Sequence, residues 1–275
     1  MRPALMRPVL ALALLSLLAA CAQPAAPVPE VRRQVPAAQV RAEMLAAAER
    51  EWRAFGGRRG GQVVLYRADQ TVAVDPVGQS SEDDRRVYER MVLYWAAVGE
   101  GGFSTYDECA AAWTRPGAKK CAWHLPWSAA FVSYLMLQAG VPESEFAPDA
   151  SHVNYLQGIV ARSMDGNPGY FLAHDIAAYA PRPGDLVCAT RGVEVAADWR
   201  LLRGQKYPMH CDLVVANRGE AIEAIGGNVF NAVSRSVIAA RDGRLTRDTG
   251  RNWIVVVENR YPDAPPQTPA ATSMR

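Results

Sequence analysis

The chain has 275 residues, with 30 basic against 28 acidic side chains and a net charge of +2. The two signs are interspersed, which excludes the clustered Lys/Arg face of a nucleic-acid-binding protein. The length suits one domain with a sizeable core, and no internal repeat is visible.

In chain order, Met1–Ala20 reads as a secretion signal. Arg2 and Arg7 give it a positive start, and the apolar run Val9–Ala20 falls short of the roughly 20 residues of a membrane span. Leu18-Ala19-Ala20-Cys21 resembles a bacterial lipobox. That resemblance implies cleavage before Cys21, a lipid anchor on Cys21 and, with Ala22 next, an outer-membrane lipoprotein facing the periplasm. The alternative is an ordinary secreted protein with a chance cysteine. Residues 21–36, rich in Ala, Pro and Val, read as a tether, residues 37–260 as a single domain, and the proline-rich stretch 261–275 as a disordered tail.

Within the domain, Leu45, Ala48, Trp52 and Phe55 recur at helical spacing up to Gly56-Gly57. Gln62–Tyr66 and Thr71–Val74 alternate weakly, as a hairpin does. A second helix is expected from Ser81, with Asp84 as its capping partner and Val87, Met91, Tyr94 and Val98 as its buried stripe. Gly102–Leu125 reads as irregular. Trp127–Ala139 is apolar nearly all round, which marks a central buried helix, and Gly140 and Pro142 close it. Ser151–Ser163 reads as a further helix capped by Ser151.

Strands follow at Leu186–Ala189, His210–Val215, Ala221–Ile225, Val229–Ile238 and Trp253–Val257, with the pair His174-Asp175 ahead of the first. Helices first and a meandering antiparallel sheet second make an α+β pattern.

Beyond Cys21, the cysteines are Cys109, Cys121, Cys188 and Cys211. Pairing of Cys109 with Cys121 and of Cys188 with Cys211 is expected, the second pair on neighbouring strands; buried free thiols are the alternative. No metal-ligand spacing appears, and no cofactor or metal is expected.

The chemistry-bearing residues are Ser128, His210 and Asn228. Ser128 opens the apolar helix, where the helix dipole and free amides sit; its plain reading is a cap or small packing residue. A serine there needs a base in contact, and His210, at a strand start after the Pro-Gly-Asp turn, is the candidate. Asn228, in a Gly-Gly-Asn turn, is the candidate orienter, with Glu223 a lesser one; its plain reading is a turn residue. His210 and Asp212 share one strand face, so Asp212 either stabilises or competes for the histidine. His124, Trp127 and His152 are expected to border the cleft, with Tyr155 one turn after His152. Trp123, Trp127 and Tyr134 serve as an aromatic wall or as core.

Several segments together carry a resemblance: Pro126–Ser133, Ser151–Tyr155, Pro181–Cys188, His210–Val214 and Glu223–Val229. Over Val87–Glu258 the chain resembles the bacterial domain-of-unknown-function family 2272. That family is similar, more remotely, to the NlpC and CHAP papain-like peptidases and amidases. The resemblance implies a papain-like fold, helices packed on an antiparallel sheet, and a hydrolase of peptidoglycan peptides or a similar amide substrate. Ser128, His210 and Asn228 stand at the places of the nucleophile, the base and the orienter, with serine where those enzymes carry cysteine. Asp185 matches a structural turn position. Three readings stand: a Ser128 amide hydrolase, a non-catalytic cell-envelope binding protein using the same cleft, and a thiol enzyme using Cys121 or Cys211.

Overall fold

In a computed structural model, the described residues are 34–57, 59, 82, 84–112, 120–192, 196–247 and 251–263. The expected signal peptide, lipidated Cys21, most of the tether, the 62–74 hairpin, Ser81 and the tail from 264 onward lie outside them. No helix among the described residues is long and apolar enough to cross a membrane.

Helix α1 (Ala37–Ala54) buries Val40, Met44, Ala47, Ala48 and Glu51, one stripe of a 3.6-residue repeat. Gly56 and Gly57 end it with φ of 87° and 68°, which glycine adopts without strain. Helix α2 (Arg85–Ala96) starts later than the sequence suggested: Asp84 is itself the N-cap, accepting from Arg86 N. The stretch read as irregular contains α3 (Tyr106–Ala112) and a 3-10 turn, Ala122–His124. Helix α4 (Ser128–Gln138) is buried almost throughout, and α5 (His152–Met164) follows it.

Seven antiparallel strands complete an α+β fold: β1 (Phe171–Asp175), β2 (Leu186–Thr190), β3 (Met209–Asn217), β4 (Ala221–Gly226), β5 (Ser234–Arg241), β6 (Arg244–Leu245) and β7 (Asn252–Asn259). Their order is β1-β7-β2-β3-β4-β5-β6, so the sheet is not the simple meander expected, because β7 inserts between β1 and β2. His174 and Asp175 lie inside β1 rather than ahead of the strands, with the His174 ring stacked on Tyr179 and its Nε2 2.9 Å from Glu258 Oε2.

Two apolar clusters divide the sheet. Cys188, Cys211, Leu213, Ile225 and Val255 join the large core under the helices. Val187, Ala189, Val214, Ala224 and Trp253 form a smaller cluster on the opposite face.

Both expected disulfides are present. Cys109–Cys121 ties α3 to the segment before α4, and Cys188–Cys211 joins register partners on β2 and β3. Cys121 and Cys211 are therefore not free thiols, which removes the thiol-enzyme reading.

Asp185, in the Pro-Gly-Asp turn, is a structural tie. Its carboxylate accepts from Arg182 N at 2.7 Å, Asn259 N at 2.9 Å and the Tyr179 hydroxyl at 3.1 Å. The buried Arg41 of α1 pairs with the same carboxylate at 3.4 Å and donates to the backbone oxygens of Pro183 and Asn259. The proline-rich end begins as part of the domain, against expectation: Tyr261 is buried and stacked on Tyr170, and Asp263 pairs with Arg41.

The sheet meets α4 at one glycine. A Cβ on Gly227 would stand 2.5 Å from Phe131 Cβ and 2.7 Å from its Cγ. Phe131 is fully buried near the root of its side chain, so it cannot swing aside. Gly227→Ala is expected to cost about 1–3 kcal/mol by overpacking, read as a lower urea midpoint with an unchanged slope. An unchanged midpoint would show that α4 is not seated on the turn after β4.

Candidate active site

Two helices and one strand start at the same place. Ser128 is the first residue of α4, His152 the first of α5, and His210 the second of β3. The Ser128 hydroxyl does not cap its own helix; Trp127 occupies the N-cap position without a side-chain cap bond. Instead Ser128 Oγ and His152 Nε2 share a 2.7 Å hydrogen bond. The other ring nitrogen of His152, Nδ1, is hydrogen-bonded to the Tyr155 hydroxyl, one turn along α5.

His210 stands beside this pair, its ring centroid 5.4 Å from that of His152. Alternation places His210 and Asp212 on one face of β3, as expected, and His210 Nε2 lies 2.7 Å from Asp212 Oδ1. That face is the one opposite Cys211 and Leu213. Asp212 Oδ2 accepts from Arg251 Nη1 at 2.9 Å. Gly226 makes this approach possible, since a Cβ there would overlap Asp212 Oδ1.

The expected triad is thus only partly assembled. Ser128 is hydrogen-bonded to His152, not to His210. The hydrogen bond expected from Asn228 to His210 is not found among the described residues. Asn228 instead takes the left-handed conformation of a turn residue, φ 55°, and Asp212 holds the imidazole. Glu223 is engaged elsewhere, with Arg218 at 2.8 Å and Arg235 at 2.9 Å. Trp127 is fully buried core, donating from Nε1 to Glu82, and Trp123 and Tyr134 are largely buried. His124 is exposed at the end of the 3-10 turn, its ring against Trp123.

Arg251 had no local signal in the sequence: the β7 insertion carries it to β3. Tyr155 was legible only as a residue three positions after His152, the spacing of one helix face.

Burial fixes the charge states. Ser128, His152, His210 and Asp212 are 3%, 4%, 6% and 0% exposed. Burial holds His152 well below the usual histidine range, with the neighbouring His210, Arg191 and Arg251 acting in the same direction and Asp212 opposing. Burial likewise lowers His210, against the pull of Asp212. For Asp212, burial pushes upward, but His210 and Arg251 outweigh it and hold the carboxyl at about 2. An ionised Asp212 can only accept, so His210 Nε2 carries the proton and its Nδ1 keeps the lone pair. Burial raises Tyr155 well above the usual phenol range, so it stays protonated.

A pH dependence follows. The unfolded chain protonates histidine near about 6.5, whereas folded His152 and His210 resist protonation. Their contribution to stability is full above that value and is lost as pH falls below it. The share due to Asp212 persists lower, and is lost as pH falls from about 4 toward about 2. Urea midpoints are expected to be flat above pH 7 and to fall in these two windows. His152→Gln is expected to shrink the first fall; an unchanged profile in that variant would contradict the buried neutral imidazole.

Among the described residues, no group of three or more His, Cys, Asp or Glu side chains is placed to hold a metal ion. No curated protein and no solved structure matches the chain. Residues 82–264 match the profile of a bacterial family described as "Uncharacterized protein conserved in bacteria (DUF2272)". The match spans more than half of the chain and includes Ser128, His152, His210, Asp212, Asn228 and Arg251, so the protein belongs to the DUF2272 family.

Proposed function

We propose that the protein is a serine-dependent hydrolase of an amide or related acyl bond, with peptidoglycan peptides as the substrate class to test. The observation that carries this reading is the 2.7 Å hydrogen bond between Ser128 Oγ and a neutral, buried His152 Nε2 at the start of α4. With the His152 proton on Nδ1 and donated to the Tyr155 oxygen, Nε2 faces the serine as an acceptor. Ser128 attacks the carbonyl carbon while His152 takes its proton. The resulting imidazolium, otherwise costly at this burial, is stabilised by the nearby Asp212 carboxylate. His152 returns the proton to the leaving amine, and water repeats the cycle on the acyl-enzyme. The free amides of the first turn of α4 are in place to hold the oxyanion, about 3 kcal/mol per donor.

Tyr155 and Asp212 thereby take the supporting roles that the sequence assigned to Asn228. A papain-like fold and kinship with NlpC and CHAP hydrolases fit the helix-then-strand order of Ser128 and His210. The lipid anchor on Cys21, outer-membrane placement and a periplasmic substrate belong to the same proposal, supported by the lipobox resemblance and by the two disulfides.

A second reading, a non-catalytic cell-envelope binding protein, is favoured by one observation: Ser128 is only 3% exposed. Digestion of purified muropeptides separates the two. Wild type is expected to release new amino and carboxyl termini detectable by mass, and Ser128→Ala none. No product from wild type would sink the hydrolase, and equal product from both proteins would rule out Ser128 as its nucleophile.

A further inference from the structure

Helix α4 carries a second serine, Ser133, and it is fully buried. A serine hydroxyl in mid-helix ordinarily bonds back to the carbonyl four residues earlier. Ser133 bonds instead to a residue 16 positions further on: its Oγ donates to Asp149 O at 3.1 Å and accepts from Asp149 N at 3.1 Å. Both main-chain groups of Asp149 are thereby held to α4. The Asp149 side chain reaches the start of α5, where Oδ1 accepts from Ser151 N at 2.7 Å and from Asn154 Nδ2 at 3.0 Å. Ser151 was expected to cap α5, yet its own side chain makes no cap bond. Asp149, two residues earlier, is what ties the chain to the first turn of that helix.

These bonds close a small ring. Ser128 and Ser133 lie on one helix, about 7.5 Å apart along its axis. Asp149 and His152 are three residues apart in the chain, a span of at most about 11 Å. The Ser133–Asp149 bonds join the two segments at one end, and the 2.7 Å bond between Ser128 Oγ and His152 Nε2 joins them at the other. The segment leading into Asp149 is fixed as well, since Phe146 packs on Tyr155 with ring centroids 4.4 Å apart.

We propose that Ser133 and Asp149 are positioning residues for the Ser128–His152 pair. Ser133 fixes Asp149 on α4, Asp149 fixes the first turn of α5, and the His152 ring is thereby delivered to Ser128 Oγ before any substrate arrives. The effect on catalysis rests on the hydrolase reading; the effect on the Ser128–His152 hydrogen bond does not. A shift of about 1 Å at the start of α5 is enough to lose that contact, and misplacement on this scale costs about 100-fold in rate.

The test uses the full chain and two readouts. One is the rate at which a fluorophosphonate labels Ser128. The other is the nitrogen NMR signal of His152 Nε2, which reports the hydrogen bond whether or not the protein hydrolyses anything. Ser133→Ala is expected to slow labelling by about ten-fold or more and to move the ring signal toward that of an imidazole accepting no hydrogen bond. Asp149→Ala is expected to do the same. Asp149→Asn, which keeps an oxygen for Ser151 N and Asn154 Nδ2, is expected to retain the wild-type rate and signal. Ile238→Val, in the smaller apolar cluster where it pairs with Ile222, lowers stability without touching the ring of bonds and is expected to change neither readout. A wild-type rate and signal in Ser133→Ala would overturn the proposal, as would equal losses in Asp149→Ala and Asp149→Asn. Should Ser133→Ala not fold, the two Asp149 variants decide alone. A wild type that takes no label, with a ring signal that still moves in Asp149→Ala and stays in Asp149→Asn, would sink the hydrolase and leave this inference standing.

Discussion

His152→Gln is expected to lower turnover of a cleaved amide by about 10³-fold or more, the scale of losing a general base in contact with a serine nucleophile. Glutamine retains a polar end near Ser128 Oγ but accepts no proton at neutral pH. Tyr155→Phe is expected to lose about ten-fold, because the ring then lacks the partner that holds its tautomer. Asn228→Ala is expected to lose less than about three-fold, since His210 is held by Asp212 instead. Single-turnover and steady-state rates on one muropeptide check the series. A severe loss in Asn228→Ala with a mild one in His152→Gln would return the base role to His210 and its orientation to the turn asparagine.

Arg251→Ala is expected to destabilise the fold by about 3 kcal/mol, the lower end for breaking a buried pair because the Arg251 side chain retains 17% exposure. Asp212 is fully buried, and without the guanidinium its second oxygen has no partner. The carboxylate then either stays ionised at a desolvation cost or takes up a proton and releases its hold on the His210 tautomer. Replacing both members at once, as Arg251→Met with Asp212→Leu, is expected to restore most of the stability while leaving His210 unoriented. Urea denaturation measures both steps, and a loss under 1 kcal/mol for Arg251→Ala would show that the pair carries no weight.

Local signals in the chain were enough to place several elements. The all-round apolar run fixed α4 and put Ser128 at its first turn. Strict alternation put His210 and Asp212 on one face, and neighbouring strands explained Cys188 and Cys211 as a pair. The partner of Ser128 was not legible in the same way. His152 opens a different helix, whose position is set by contacts such as Phe146 on Tyr155 at 4.4 Å between ring centroids. Such packing leaves no spacing in the sequence to read.

The position of β7 was equally hidden. A strand at the end of the chain paired between β1 and β2 depends on non-local hydrogen bonds, and it alone brings Arg251 to Asp212. The turn at Gly226-Gly227-Asn228 was read as a place to orient a histidine. Its glycines in fact make room for Asp212 and Phe131. The first residues of the C-terminal stretch misled for a compositional reason: prolines nearby masked Tyr261, which packs on Tyr170 and Phe171.

The most direct measurement is covalent labelling with a fluorophosphonate, which reacts preferentially with a serine whose proton is being drawn away. Wild type is expected to gain a single adduct, mapped by mass to Ser128, at a rate that falls at least 100-fold in His152→Gln. An adduct that forms equally fast without His152, or no adduct on Ser128 at all, would contradict the account.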